Sequence, residues 1–193
     1  MKILLVYSHP NPGSFNHAIK ETLSSELSAS GHDVKTRDLY SIGFDPVLRS
    51  TDFLLAAQGK VADDVKLEQD FIVWSDVVIF IHPVWWASLP AILKGYIDRV
   101  FNYGFAYMID EKGVRGLLKG KKALILSTTG ADDKTYAATG MFKSITQTVD
   151  DGIFAFCGFD VIEHKFFTSV PYVSSDDRSK MLEQAAAIAR QLR

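Results

Sequence analysis

At 193 residues the chain is long enough for one domain with a full core and short for two. Hydrophobic residues make up 47% and charged residues 23%, a globular balance, and a formal net charge of −2 excludes the basic excess of a nucleic-acid binder. The single cysteine, Cys157, excludes an intrachain disulfide and any multi-cysteine zinc or iron–sulfur site; between Phe156 and Gly158 it reads as a buried structural thiol. The N-terminal apolar run is too short for a signal peptide, and no segment approaches the ~20 apolar residues of a membrane span. A cytoplasmic protein with no membrane insertion is the expectation.

Ile3–Tyr7 is a near-continuous apolar run, the pattern of a parallel strand buried on both faces. It breaks into Ser8-His9-Pro10-Asn11-Pro12-Gly13, and Ser14 opens a helical pattern with Ile19, Leu23 and Leu27 on one face. A strand, a polar loop and a helix N-terminus suit a phosphate, because the first helical N–H groups lack partners and the dipole is positive there. Ser14 can cap the helix and Asn16 adds a donor. An ordinary capped turn reads equally well from this loop alone. Gly31 stops the helix, Asp33–Asp38 predicts a polar edge strand, and Leu39–Leu48 is irregular.

Val61–Trp74 predicts a helix, and Val77–Ile81 is the most strand-like run in the chain. The run exits into His82-Pro83-Val84-Trp85-Trp86-Ala87, and Leu89-Pro90 begins a helix with Leu93, Tyr96, Ile97, Val100 and Phe101 on one face. Tyr103–Gly120 is a long excursion rich in glycine and aromatics. Ala123–Leu126 predicts the fourth strand, followed by Ser127-Thr128-Thr129-Gly130 and, a short loop later, Tyr136. Met141–Phe156 reads as helical, Gly158–Phe167 holds a fifth strand, and Asp177–Leu192 closes the chain with Met181, Ala185, Ile188 and Leu192 inward. Five alternations describe one α/β domain, residues 1–193: a flavodoxin-like, doubly wound, five-stranded parallel sheet in order 2-1-3-4-5, with helices on both faces.

Ligands of such sheets bind at the carboxyl ends of the strands. Three chemically unusual loops emerge there. The first offers His9, Ser14, Phe15 and Asn16 to a phosphate. The second offers Pro83, Val84, Trp85 and Trp86; adjacent tryptophans at a strand exit either wall a flat ligand or pack beneath the Tyr103–Gly120 excursion. The third offers Thr128, Thr129, Gly130, Ala131 and Tyr136 to the polar edge of a heteroaromatic ring, an anion nest being the alternative. Together they describe a flavin site. There is no GxGxxG fingerprint, P-loop, GxSxG elbow or HExxH. The five histidines, His9, His17, His32, His82 and His164, show no metal-ligand spacing, and His32 and His164 read as polar edge residues.

SHPNPGSFNHA, HPVWWASLPAILKGYIDRVF, STTG followed by Tyr136, and FCGFDVIE together resemble the NAD(P)H:quinone oxidoreductases of the DT-diaphorase type, over Met1 to about Arg178. The resemblance implies a homodimer that holds FAD, with FMN the alternative, and passes two electrons from NAD(P)H to a quinone by a ping-pong route. It assigns His9, Ser14, Phe15, Asn16 and Ala18 to the flavin's phosphate and, in FAD, its adenylate. Pro83, Val84, Trp85 and Trp86 would line the isoalloxazine; Thr128, Thr129, Gly130, Ala131 and Tyr136 would bond its polar edge. Arg178 matches an arginine that reaches the adenine end. Tyr103, Phe105, Tyr107 and Phe142 would shape the substrate pocket, partly from the partner subunit, with Tyr136 and Trp86 the catalytic pair. Two positions depart from the pattern: Phe142 replaces the histidine that pairs with the family's tyrosine, and Ala87 replaces an aromatic. Azo- or nitroreduction, a regulatory subunit on a potassium efflux system, an electron carrier and an α/β domain without flavin are the competing readings.

Overall fold

The computed structural model describes residues 1–192. Its main sheet is parallel throughout and runs β2 (Asp33–Asp38), β1 (Lys2–Tyr7), β3 (Val77–Pro83), β6 (Lys122–Thr128), β7 (Asp160–Phe167). Leaving aside an inserted hairpin, β4 (Tyr107–Asp110) and β5 (Gly113–Gly116), this is the order 2-1-3-4-5. The reversal of direction falls between β1 and β3, so the exits of β1, β3 and β6 lie side by side.

Alternation along the strands divides the core between the two faces of the sheet. Ile3, Leu5 and Tyr7 join Val77, Ile79, Ile81, Leu124 and Leu126 under α1 (Phe15–Ala29) and α7 (Ser175–Gln191), against Ile19, Leu23, Leu27, Ala185 and Ala189. Leu4, Val6, Val78, Phe80 and Ile125 face the other way, against Val65 and Ile72 of α3 (Asp63–Trp74) and Leu93, Tyr96 and Val100 of α4 (Ala91–Val100). All of these are buried. In α7 the fully buried positions are Ala185, Ala186 and Ala189, with the predicted Met181, Ile188 and Leu192 half-covered at the margin. None of the described helices is long and apolar enough to cross a membrane.

Four features go beyond the sequence pattern. Ser50–Ala57 is a helix, α2, with no buried residue, and so without a core stripe to announce it. The Tyr103–Gly120 excursion contains the β4–β5 hairpin. Asp133–Thr139 is a short helix, α5, capped by Asp132, whose side chain accepts from the Thr135 amide. Helix α6 (Met141–Thr146) opens without a break into a π-helical stretch, Gln147–Ala155, whose wider turns place Asp150 against β7.

The irregular Leu39–Leu48 segment is clamped to α4. Arg99, buried on α4, donates to the Asp45 carbonyl at 2.8 Å and the Asp64 carboxylate at 2.6 Å, and pairs with Asp52 of α2. Gly95 lets Pro46 lie on the helix, since a β-carbon there would come within 2.1 Å of the Pro46 carbonyl oxygen. Gly95→Ala must therefore push the segment off α4, and we expect a loss of about 2 kcal/mol or more in urea unfolding, the scale of overpacking a tight contact.

Candidate active site

At the β1 exit the loop is held by its own side chains. The Asn11 amide donates to His9 Nδ1 at 3.0 Å, the Gly13 amide to Asn11 Oδ1 at 2.8 Å, and the His17 amide to Ser14 Oγ at 3.1 Å. His9 therefore carries its proton on Nε2, and burial holds its pKa below the usual histidine value, leaving a neutral ring. The amides of Phe15 and Asn16, in the first turn of α1, have no partner among the described residues. Asn16 is buried; its Nδ2 donates to Thr128 Oγ1 at 2.7 Å, while its Oδ1 finds no donor. Ser8 Oγ, one residue past β1, is likewise buried and unpartnered. Unsatisfied buried groups of this kind are rare and costly.

The β3 exit is a tight two-residue turn. Trp85 and Ser88 exchange both backbone hydrogen bonds at 3.0 Å, with Trp86 (φ 51°) and Ala87 (φ 57°) between them. Paired left-handed residues ordinarily call for Asn-Gly, and a side chain there costs roughly 1–2 kcal/mol per residue. The strain lifts Trp86 fully into solvent, at 100% exposure. Trp85 leans edge-on against His9, centroids 5.6 Å apart, joining the first two loops. The Val84 amide donates to the Thr128 carbonyl at 2.8 Å, joining the second and third.

At the β6 exit Thr128 and Thr129 are buried, and Thr129 Oγ1 donates to the Ala131 carbonyl at 2.7 Å. That hydroxyl shapes its own loop, and the Thr129 amide is spent as well, on the Phe167 carbonyl at 2.9 Å. Tyr136, half-buried on α5, meets Phe142 edge-on at 5.3 Å, and Phe142 packs on Phe166 at 4.9 Å. Phe142 is thus an apolar backing for Tyr136.

The structure brings His9, Ser14, Asn16, Trp85 and Thr128 into one connected cluster, with Phe15 packed on Phe167 at its side. It does not bring all the predicted residues there. Tyr103 and Tyr107 meet each other at 5.8 Å and line an apolar cavity of about 370 Å³ with Leu48, Phe53, Phe156 and Cys157. Among the described residues no aromatic contact joins them to Trp85, Trp86 or Tyr136. Cys157 is buried there, its thiol pushed up to about 11 by burial. Arg178 is occupied as well, its guanidinium donating to the Val170 carbonyl at 3.1 and 3.3 Å.

His164 corrects an expectation. Its strand, β7, is the sheet edge, but the side chain turns inward and is covered by the π-helical stretch. Four side chains from three strands and that stretch form one chain: Asp150 Oδ1 lies 2.7 Å from His164 Nδ1, His164 Nε2 2.8 Å from Ser127 Oγ, and Ser127 Oγ 3.1 Å from His82 Nε2. His82 Nδ1 in turn donates to the Pro83 carbonyl at 3.0 Å. Complete burial depresses the His82 pKa to about 4, so its ring is neutral. The polar His82 and Ser127 at the ends of apolar strands were the only sign of this network in the sequence.

An open parallel sheet with an anion-ready helix end, an aromatic turn and a hydroxyl-lined strand exit at its switch point defines a flavodoxin-like, ligand-binding α/β protein. The comparisons go further. A family model described as flavodoxin-like fold matches residues 1–192. A protein of Haemophilus influenzae described as an uncharacterized NAD(P)H oxidoreductase is 35% identical, covering 96% of this chain and 93% of that protein. NAD(P)H dehydrogenase [quinone] 1 of Rattus norvegicus is 32% identical over 94% of this chain and 74% of its own. The solved NAD(P)H:quinone oxidoreductase of Methanothermobacter marburgensis superposes with a TM-score of 0.88 at 28% identity, covering 100% and 99%. The chain belongs to this flavodoxin-like family of NAD(P)H:quinone oxidoreductases.

The neutral, buried His82 also sets a pH dependence. Unfolding returns it to an ordinary histidine near 6.5, so between about pH 6.5 and 4 the unfolded chain binds a proton that the folded chain refuses. Stability should fall as pH drops through that window, by about 1.4 kcal/mol per unit at the steepest from this one group. Urea midpoints measured across the window check this, and His82→Phe should flatten the slope.

Proposed function

We propose that residues 1–193 form a single flavin-binding unit that acts in the cytoplasm as an NAD(P)H:quinone oxidoreductase. The observation that carries the flavin is the pair of backbone amides in the first turn of α1, those of Phe15 and Asn16, which find no partner among the described residues. Free amides at a helix N-terminus suit a phosphate. A residue-free hollow of about 340 Å³ bounded by Tyr7, His9, His17, Asp38 and Tyr40 lies beyond that helix end. It favours FAD, whose adenylate needs such room, over FMN.

In this reading Ser14, Phe15, Asn16 and Ala18 hold the phosphate end, and His9 donates from Nε2. Pro83, Val84, Trp85 and Trp86 form the wall against which the ring lies. Gly130 and Ala131 present backbone donors to its polar edge beyond Thr128 and Thr129, which shape the strand exit, and Tyr136 adds a phenolic hydroxyl there. When bound, the flavin supplies the two-electron chemistry, and the protein orients and tunes it. Tyr136 stabilises negative charge at the ring edge, with Phe142 and Phe166 excluding water behind it. Nicotinamide and quinone use one face in turn, so Trp86 contacts each.

Tyr103, Phe105 and Tyr107 serve the partner's site in a homodimer. The support is the apolar face beside them: Leu48, Phe53 and Phe156 are exposed around the 370 Å³ cavity, with Phe53 at 64%. Phe53→Asp should leave the monomer folded and shift sedimentation to the single-chain mass; a dimer that persists would exclude this face.

The direct test is an anaerobic stopped-flow titration of purified protein with NADPH and then a quinone, with the released cofactor identified by chromatography. Yellow protein that bleaches and regains its colour on adding quinone is the expected outcome. Colourless protein that takes up no added flavin would overturn the proposal. Tyr136→Phe should slow the reductive step about tenfold or more, the scale of one lost donor at developing charge; an unchanged rate removes Tyr136 from the mechanism.

A further inference from the structure

The buried chain behind the β3 exit has a direction that its chemistry dictates. The Pro83 carbonyl can only accept, so His82 Nδ1 carries a proton. The His82 ring is neutral, so its Nε2 is a lone pair that is satisfied only when Ser127 donates to it. With its one proton spent there, Ser127 accepts from His164 Nε2–H. That leaves His164 Nδ1 facing Asp150 Oδ1 at 2.7 Å, a distance at which one proton must lie between them. The pair is either imidazolium with carboxylate or imidazole with carboxylic acid. Both forms hold the same proton, and both keep Nε2–H pointed at Ser127.

Removing that proton reverses the chain. A neutral His164 opposite an ionised Asp150 must turn its one N–H toward the carboxylate, which strips Nε2 bare. Ser127 then has a lone pair on each side, at 2.8 Å from His164 and 3.1 Å from His82, and one hydroxyl proton for both. His82 Nε2 loses its donor whenever that proton turns to His164. The titratable groups that face His164 are Asp150 from the π-helical stretch and His82 from β3; β6 offers only the Ser127 hydroxyl, and the Phe166 ring of its own strand stacks on it at 4.1 Å. Asp150, 15% exposed, is the route by which the proton exchanges with solvent.

We propose that Asp150 and His164 are positioning residues: the one proton they share sets the direction of the Ser127 hydroxyl, and so whether His82 is held from both ring nitrogens behind Pro83–Trp86. Neither residue reaches the carboxyl-edge cluster. They act through His82, whose bond to the Pro83 carbonyl sits at the root of the strained tryptophan turn. The functional half of the proposal rests on the reading that this turn walls the flavin and its substrates; the protonation half rests on the chain alone.

The test is imidazole ¹⁵N NMR of labelled protein in a pH series across the range in which it stays folded. His82 should remain a neutral Nδ1–H ring throughout, but its Nε2 shift should step as the Asp150–His164 pair loses its proton. Asp150→Asn should abolish the step, because an amide can donate to His164 Nδ1 and keeps the chain in its low-pH direction. His164→Gln, whose amide can donate to Ser127, should do the same and serves if the first variant fails to fold. In turnover, KM for the quinone should rise about fivefold across the same step with kcat nearly constant, as expected for one lost hydrogen bond behind a binding wall, and stay flat in Asp150→Asn. His82 shifts without a step, or a step that survives Asp150→Asn, overturn the latch. A His82 step with a flat KM overturns its link to the wall. Protein that binds no flavin defeats the proposed function instead, and the NMR result still decides the latch.

Discussion

The pairing of β3 with β6 is the constraint on which the ligand edge depends. Val78 to Pro83 lie in register with Ala123 to Thr128, and the pairing continues one bond beyond the strands through the Val84 amide and the Thr128 carbonyl. From that point the two chains part: one into the tryptophan turn, the other into the threonine loop. Helix α1 joins them through Asn16, whose amide nitrogen reaches Thr128 Oγ1. Three loops from three parts of the sequence are therefore braced by a few hydrogen bonds at the ends of strands already buried on both faces. Such an edge is rigid where its backbone is paired and strained at Trp86–Ala87, where the chain must turn within two residues, and again at Ser169 (φ 55°) past β7.

Much of this was legible in the sequence. Apolar runs such as Ile3–Tyr7 and Val77–Ile81 announce strands covered on both sides, and the helical spacing of Ile19, Leu23 and Leu27 returns as one wall of the core. Asp33–Asp38 matches β2 residue for residue, because an edge strand flanked by a glycine stop leaves little choice. Elements without a buried stripe were not legible: α2 has none, and α5 is seven residues set by the Asp132 cap. Strand periodicity also gives no hint that residues 147–155 take a π-helical course, since that depends on what Asp150 and Val149 meet.

The site divides in the same way. Residue types that are expensive without a ligand, such as adjacent tryptophans and an asparagine at a helix start, could be singled out one by one. Which of their atoms are already used could not. Thr129 spends its hydroxyl on Ala131 and Arg178 its guanidinium on Val170, while Asn16 Oδ1 and Ser8 Oγ stand free, and only packing distinguishes them. His164 was misplaced for the same reason. An edge strand has one face to solvent only if nothing lies over it, and the widened π turns lie over it here.

The lone cysteine has a consequence for chemical self-protection. Quinones are electrophiles that add thiolates readily, and an enzyme that gathers them risks being alkylated by its own acceptor. Cys157 lines the cavity beside Tyr103 and Tyr107, yet burial keeps it as the thiol, with its pKa near 11, and the chain has no second sulfhydryl. The nucleophilic form is scarce at neutral pH, and the backbone of Cys157 is committed to the Leu118 amide on one side and the Ile153 carbonyl on the other. A fold that processes thiol-reactive rings thus offers them no partner of its own.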